Sequence, residues 1–462
     1  MDYLSASSGE FVVPNFFAIN NGVNNPTVEQ KGDRKKINSV YGSIQANYDQ
    51  YFFLEGTMRN DWSSSLSKEN RSYFYPSVST SLVFSEMIAR NGGTLPSWMS
   101  FGKLRASYAQ VGNDLPAYQL YNAYVIGKDP NGGTTASREK IYFDPAVRSE
   151  LIKSFEVGAE MRFFESRLGF DISYYKSNAT RQLLDIPMDP LSGYERRKIN
   201  AGDIENSGVE ITANADLLRS EQGFNWNLSA NFSRNNNTVN ELIDGVTLYG
   251  LGGYDNVQIY AEAGKKYGEI YGSKYLRVED TNSPYNGQLI LNAAGLPQVG
   301  AQGVSVGNQQ ATGLLGITNS FAYKGIGLSF LVDARFGGQI FSSTNAIMQE
   351  NGTAAITAPN GQRENFVVPG VIQNGSTFTP NTTAVSPQLY WAQVHSYGNI
   401  GIAEENIYDA TNVRLRNVQL SYSLPKGILS KTPIQRAKIG FSANNVWLIS
   451  GDMNGIDPES VY

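Results

Sequence analysis

Four carboxylates stand at even spacing on two stretches that alternate polar and apolar residues: Glu156 and Glu160 on one, Glu210 and Asp216 on the other. Two carboxylates held face to face can divide acid and base work between them, as in many hydrolases. Arg162, two residues beyond Glu160, offers a charge partner instead. Gly303-Val304-Ser305-Val306-Gly307 matches the G-x-S-x-G pattern of a nucleophile elbow. That pattern works only on a sharp strand-to-helix turn with a histidine and a carboxylate in reach. Here it lies among Gln, Gly and Asn with no helix pattern after it, so a flexible loop is the preferred reading. Tyr390 and Trp391, with His395 and Tyr397 close behind, form an aromatic group in another long loop. Aromatic faces hold sugars and peptide side chains alike through apolar contact and cation–π attraction. A cluster that merely packs the loop is the competing reading. Cysteine is absent and His395 is the single histidine, which removes disulfides, thiolate sites and most histidine-based metal or acid/base schemes. No metal, cofactor or catalytic residue is expected.

The elements that carry these residues are strands. Phe155, Val157, Ala159, Met161 and Phe163 alternate with Ser154, Glu156, Gly158, Glu160 and Arg162. After a turn near Glu165-Ser166, Leu168, Phe170, Ile172 and Tyr174 alternate with Gly169, Asp171 and Ser173. Successive side chains of a strand point to opposite faces, so this hairpin has one greasy wall and one charged wall. The pattern recurs from Val209 to Leu217, where Glu210 and Asp216 take the polar face, and from Phe224 to Phe232. It recurs again around Ile44 to Met58, Val78 to Phe84, Leu104 to Tyr108, Leu328 to Ala334, Val418 to Leu424 and Ala437 to Ala443. Short turns, as at Asp49-Gln50 and Glu165-Ser166, alternate with long irregular loops near 113–150, 236–313 and 338–406. Short turns on one side and long loops on the other is the layout of an outer-membrane barrel.

With 37 basic and 42 acidic residues and no basic stripe, the chain offers nothing to nucleic acid. No stretch approaches the roughly 18 consecutive apolar residues of a transmembrane helix, a test that β-barrels escape because their strands alternate. Met1 to Glu10 holds no basic or apolar leader, which implies a cytoplasmic protein or a start farther upstream. A soluble β-sandwich also alternates. The polar face here, however, carries small polar residues such as Asn, Ser, Thr and Gly rather than the Lys and Glu of a solvated sheet. The reading is therefore all-β, an antiparallel transmembrane β-barrel. Glu156, Glu160, Arg162, Glu210 and Asp216 then form a lumen-facing polar wall, while Phe224, Trp226 and Phe232 face lipid or its interface. Arg414 and Arg416 share parity with Val418 and Leu420, so they are expected to point outward above the apolar band, as snorkelling side chains or contacts to lipopolysaccharide. Tyr390, Trp391 and Tyr397 are the candidate substrate contacts.

Several segments resemble the SusC/RagA family of TonB-linked outer-membrane proteins. Tyr408 to Pro425 (YDATNVRLRNVQLSYSLP) is similar to that family's penultimate-strand signature, and Ile439 to Glu459 (IGFSANNVWLISGDMNGIDPE) to its D-P-E ending. Asn200 to Ile211 (NAGDIENSGVEI), Gly102 to Asn113 (GKLRASYAQVGN), Tyr267 to Tyr275 (YGEIYGSKY), Phe52 to Ser77 and Asn319 to Phe341 also fit, in family order. The resemblance implies import of bulky nutrients, glycan fragments or peptides, with a SusD-like surface lipoprotein as partner and energy from the TonB complex through an N-terminal part. It also implies that residues 1–462 are part of a barrel of about 22 strands, without the plug and N-terminal domains or the final strand. An open half-barrel leaves unpaired edges in lipid, so a companion chain or a missing segment is expected to complete it. A passive porin or structural barrel, and more distantly a secreted glycan-binding β protein, are the rival functions.

Overall fold

A computed structural model describes residues 2–221, 223–395, 400–430, 432–453 and 455–459. Twelve strands follow one another in chain order and pair antiparallel with their neighbours: β1 (Ile37–Tyr48), β2 (Phe52–Ser63), β3 (Ser72–Leu82), β4 (Met99–Asn113), β5 (Glu150–Phe163), β6 (Leu168–Pro187), β7 (Arg196–Leu218), β8 (Asn225–Glu241), β9 (Gly313–Tyr323), β10 (Ile326–Phe336), β11 (Asn412–Ser423) and β12 (Lys438–Gly451). A short strand at Ile141–Phe143 adds a parallel pairing to the far end of β7. Among the described residues β1 and β12 each have one neighbour, so the sheet is an open meander with two edges.

The turns at one end are tight because their residues accept left-handed backbone. Lys324 and Gly325 (φ 46° and 87°) close β9 onto β10 in a two-residue turn of the kind whose twist suits a hairpin. Asp49 and Gln50 (φ 46° and 62°) do the same work between β1 and β2, and Phe164, Glu165 and Ser166 between β5 and β6. A short helix, α1 (Phe84–Arg90), fills the connection from β3 to β4. At the other end lie the long connections 114–149, 242–312 and 337–411.

Cross-strand register keeps the two faces separate. Val157 pairs with Tyr174 and Ala106, and Ala159 with Ile172 and Leu104, all apolar. One residue along, Glu156 pairs with Ser107 and Tyr175. Among the described residues the apolar face is largely uncovered: Val40, Ile44 and Phe441 are 65 %, 71 % and 72 % exposed. A sandwich would bury that face. From Phe155 to Phe163 the apolar run spans nine residues, about 30 Å along the strand, or roughly 23 Å in height at a tilt near 40°. That matches the hydrocarbon band of an outer membrane. Aromatic rings gather where the band meets the tight turns. Trp98 stacks on Phe163 at 5.8 Å, and Trp226 and Phe224 on Phe321 at 5.7 and 5.8 Å. The Trp226 indole N–H donates to Asn319 Oδ1 at 3.1 Å, so its polar atom is satisfied on a mostly apolar face.

The long connections are more ordered than their Gly- and Asn-rich composition implies. One holds a four-stranded sheet (Leu248–Tyr254, Val257–Glu262, Glu269–Gly272, Val304–Asn308). A three-stranded sheet joins Ile290–Leu291 to Val371–Asn374 and Thr377–Pro380, across two different connections. The packed cores of the molecule lie here. Val257, Ile270 and Ala403 form one, Leu291, Val368 and Val385 another. The expected flexible loop at 303–307 is corrected accordingly. Val304–Asn308 is a strand, no helix follows its turn, and the Ser305 hydroxyl donates to Glu269 Oε2 at 2.7 Å.

Candidate functional site

The polar face of β4 to β8 carries the charged residues singled out in the sequence, but they do not meet as catalytic pairs. Glu160 and Arg162 share one strand and bond at 2.7 Å. Glu156 instead lies 3.5 Å from Arg105 on the adjacent β4. Arg105 reaches across β5 to β6, donating from Nη1 and Nη2 to the two carboxylate oxygens of Asp171 at 3.0 and 2.7 Å and from Nη2 to Ser173 Oγ at 2.5 Å. Gly158 makes that reach possible, since a Cβ there would lie 2.6 Å from Arg105 Cζ. Gly208 likewise leaves room for Tyr175, whose hydroxyl would be 2.5 Å from a Cβ at that position. Glu210 faces Ser173 and Ser233, and Asp216 accepts from Asn227 Nδ2 at 2.9 Å. Each of the four carboxylates thus meets a cation, an amide or hydroxyl-bearing neighbours, and none bonds another. A recess of about 750 Å³ opens on this face, lined by Gln45, Asn47, Glu55, Lys103, Arg105 and Glu156 among others. The sequence placed Asp171 on the charged wall but did not single it out, nor Arg105, although the parity of both with Glu156 on neighbouring strands was visible there.

In the 337–411 connection, helix α2 (Ser343–Glu350) is followed by helix α3 (Pro387–Val394). Ser386 caps α3 by accepting from Leu389 N at 3.3 Å, and Pro387 occupies its first turn, where its missing N–H costs nothing. Consecutive positions on a helix point in different directions, which separates Tyr390 from Trp391. Trp391 turns inward, 6 % exposed, and stacks on His395 one turn later at 6.2 Å. Tyr390 meets Phe366 edge-on at 5.3 Å and Trp391 at 5.0 Å. His395 is buried with Nδ1 2.6 Å from Ile400 O and Nε2 3.3 Å from Gln349 Oε1, and burial pulls its imidazole below the usual value. It is a packing residue with both nitrogens occupied. Tyr397 lies outside the described residues.

Phe366, Tyr390 and Trp391 line a recess of about 460 Å³ together with Ile356, Glu364 and Glu405. Glu405 comes from the turn Ala403–Asn406, and its Oε2 accepts from the Tyr275 hydroxyl at 2.8 Å. Its neighbour Glu404 accepts from Arg277 Nη2 at 2.9 Å, so that guanidinium is committed elsewhere. Burial pushes the Glu405 carboxyl up, and burial together with the Glu405 charge pushes the Tyr390 phenol up to about 12. Phe366, Glu405 and Tyr275 are far from Tyr390 in sequence, and no local pattern could have joined them. Among the described residues no cluster of three or more acidic or histidine side chains is placed to hold a metal ion.

The expectation for Arg414 and Arg416 is corrected. Leu331 pairs with Asn417 and Val332 with Leu415, which leaves Arg416 in a bulge on β11. An extra residue exchanges the faces on either side of it. Arg414 therefore lies opposite Asp333, 5 % exposed, and donates from Nη1 to Asp457 Oδ2 at 2.9 Å. Arg416 donates to Asp333 Oδ2 at 2.6 Å and Glu459 Oε1 at 2.7 Å. The two arginines clamp the D-P-E segment onto the polar face; they do not reach toward lipid.

Comparison with known proteins agrees with this architecture. The profile of the family described as TonB dependent receptor-like, beta-barrel, matches residues 7–294. The TonB-dependent receptor P3 of Formosa agariphila is 26% identical over 449 residues, an alignment covering 92% of this chain and 42% of that protein. The TonB-dependent receptor SusC of Bacteroides thetaiotaomicron is 23% identical over 457 residues, covering 92% and 42%. The structure of the RagAB peptide importer in its open-open state superposes with a TM-score of 0.73 at 20% identity, over 100% of this chain and 48% of that one. At that identity the likeness speaks for the fold. The chain spans 42% of the length of each of these two receptors. On its profile match, its two-faced strands and its lopsided loops, the chain belongs to the TonB-dependent receptor β-barrel family of outer-membrane proteins.

Proposed function

We propose that residues 1–462 supply part of the wall and the outer loops of a transporter that brings bulky nutrients across the outer membrane. The carrying observation is the two-faced wall, with an exposed apolar belt on one side and a continuous polar face with its Arg105-centred network on the other. On this reading the polar face, including Glu156, Glu160, Arg162, Glu210 and Asp216, lines the lumen, and the folded connections stand outside the cell. The cargo is a glycan fragment or a peptide, delivered with a SusD-like surface lipoprotein and moved with energy from the TonB complex. The names of relatives, a SusC receptor and a RagAB peptide importer, support that choice. The free edges of β1 and β12 support completion of the barrel by further strands, from the same protein or a companion, because lipid cannot satisfy exposed backbone groups. The substrate contacts proposed are Tyr390 and Trp391, with Tyr397 beside them in sequence.

The test is uptake by the native host. Deleting the protein, and separately disabling TonB, is expected to abolish growth on the same oligomeric nutrient, and the detergent-extracted protein is expected to carry a surface lipoprotein. Uptake that persists without TonB and scales only with solute size would establish a passive pore instead.

A further inference from the structure

The recess at α3 has a chemistry of its own. Phe366, Tyr390, Trp391 and Ile356 give it an apolar wall, the amides Asn360, Gln362 and Asn365 also line it, and its charged lining residues, Glu364 and Glu405, are both acidic. Among the described residues no lysine or arginine lines it. The adjacent Arg363 is tied through Nη2 to the Gly352 carbonyl at 2.8 Å, and Arg277 is held by Glu404. Among the described residues neither Glu364 nor Glu405 has an ion-pair partner, whereas Glu404 beside them does. A partly buried carboxylate without a cation is costly, and its cost is relieved when a positive group arrives. Aromatic rings around a carboxylate also attract an ammonium group through their faces while burying the carbons that carry it.

We infer that this recess binds a protonated primary amine of the cargo, with the ammonium on Glu405 and Glu364 and its carbon skeleton against Phe366, Tyr390 and Trp391. This deepens the import reading and rests on the outer loops being where cargo is first held. A lysine side chain and an amino sugar share the chemistry, so both are tested. A short lysine peptide and a short glucosamine oligomer are titrated into the full-length, detergent-purified protein by calorimetry, each beside its fully N-acetylated counterpart. In at least one of the two pairs the amine form is expected to bind about tenfold more tightly, a free-energy difference of about 1.4 kcal/mol. The pair that shows it identifies the source of the amine.

Glu405→Gln keeps an acceptor for the Tyr275 hydroxyl and is expected to erase the preference. Glu364→Gln, at an exposed position, is expected to reduce it a few-fold. Phe366→Leu is expected to weaken the amine form and its acetylated counterpart together. Equal binding of amine and acetylated forms in both pairs, no binding of any probe, or a preference unchanged in both glutamate variants would overturn the inference. TonB-dependent uptake is measured separately and needs no amine, so its persistence alongside such a result would leave import standing and remove only the amine site.

Discussion

On the wall, Ile44 and Phe441 stand 71 % and 72 % exposed, whereas Ile270 and Val371 in the long connections are 0 % exposed. The same residue types thus obey opposite rules within one chain. In the connections, apolar side chains gather into small cores between short sheets, as in a water-soluble domain. On the wall they leave the protein altogether, and the polar side chains turn toward one another. Only a change of solvent makes both arrangements stable at once: hydrocarbon against β1 to β12, water around the loops. The ladder holds the wall together, and burial holds the loops together.

That contrast is breakable by substitution. The largest effect is expected from Ile270→Ala, which empties a fully buried site against Val257 and Ala403 and costs about 2–5 kcal/mol. Hydrogen exchange is expected to rise sharply across 257–272 and 403–407 while β5 and β6 keep their protection. Next, Ile172→Arg sets a charge at mid-height on the apolar face, costing about 2–4 kcal/mol if that face meets lipid. Equilibrium unfolding in bilayers measures it, and the contrast sharpens if Ser229→Arg on the opposite face costs little. A smaller effect, about 1 kcal/mol or less, is expected from Gly158→Ala, which displaces the Arg105 guanidinium from Asp171 on a part-exposed surface. A double-mutant cycle with Asp171→Asn isolates that term.

The smallest effect is a pH response confined to the loops. His395 protonates less readily folded than unfolded, because burial outweighs its bond to the Ile400 carbonyl and the nearby Glu350 charge. Its contribution to stability is therefore complete above the ordinary imidazole value of 6.5 and is lost as the pH falls through the depressed value. Exchange of 387–395, corrected for intrinsic rates, is expected to rise on acidification and to lose that response in His395→Gln.

Much of the wall was legible in the sequence because a period of two is a local signal: Phe155 to Phe163 needs no distant partner to declare its faces. Parity counting failed at Arg414 because one inserted residue at Arg416 reverses every face before it, and a bulge has no signature of its own in this run. The loops were illegible for a different reason. Ala403 packs on Val257 and Ile270, and Val371 pairs with Ile290, across separations that no local pattern reports. The aromatic pair Tyr390-Trp391 stood out by composition, but the carboxylate beside it, Glu405, and the facing ring, Phe366, became neighbours only through that folding.

The absence of cysteine from residues 1–462 makes one measurement direct, since a thiol introduced here is the sole labelling site of this segment and any thiol elsewhere in the full-length protein is first replaced by serine. Spin labels placed singly from position 170 to position 175 of β6, in the full-length protein in bilayers, report collisions with oxygen dissolved in lipid and with a water-soluble relaxing agent. The expected result is a strict period of two, oxygen favouring the positions of Phe170, Ile172 and Tyr174, and the aqueous agent those of Asp171, Ser173 and Tyr175. Uniform access to the aqueous agent at all six positions would contradict a wall with lipid on one side and water on the other.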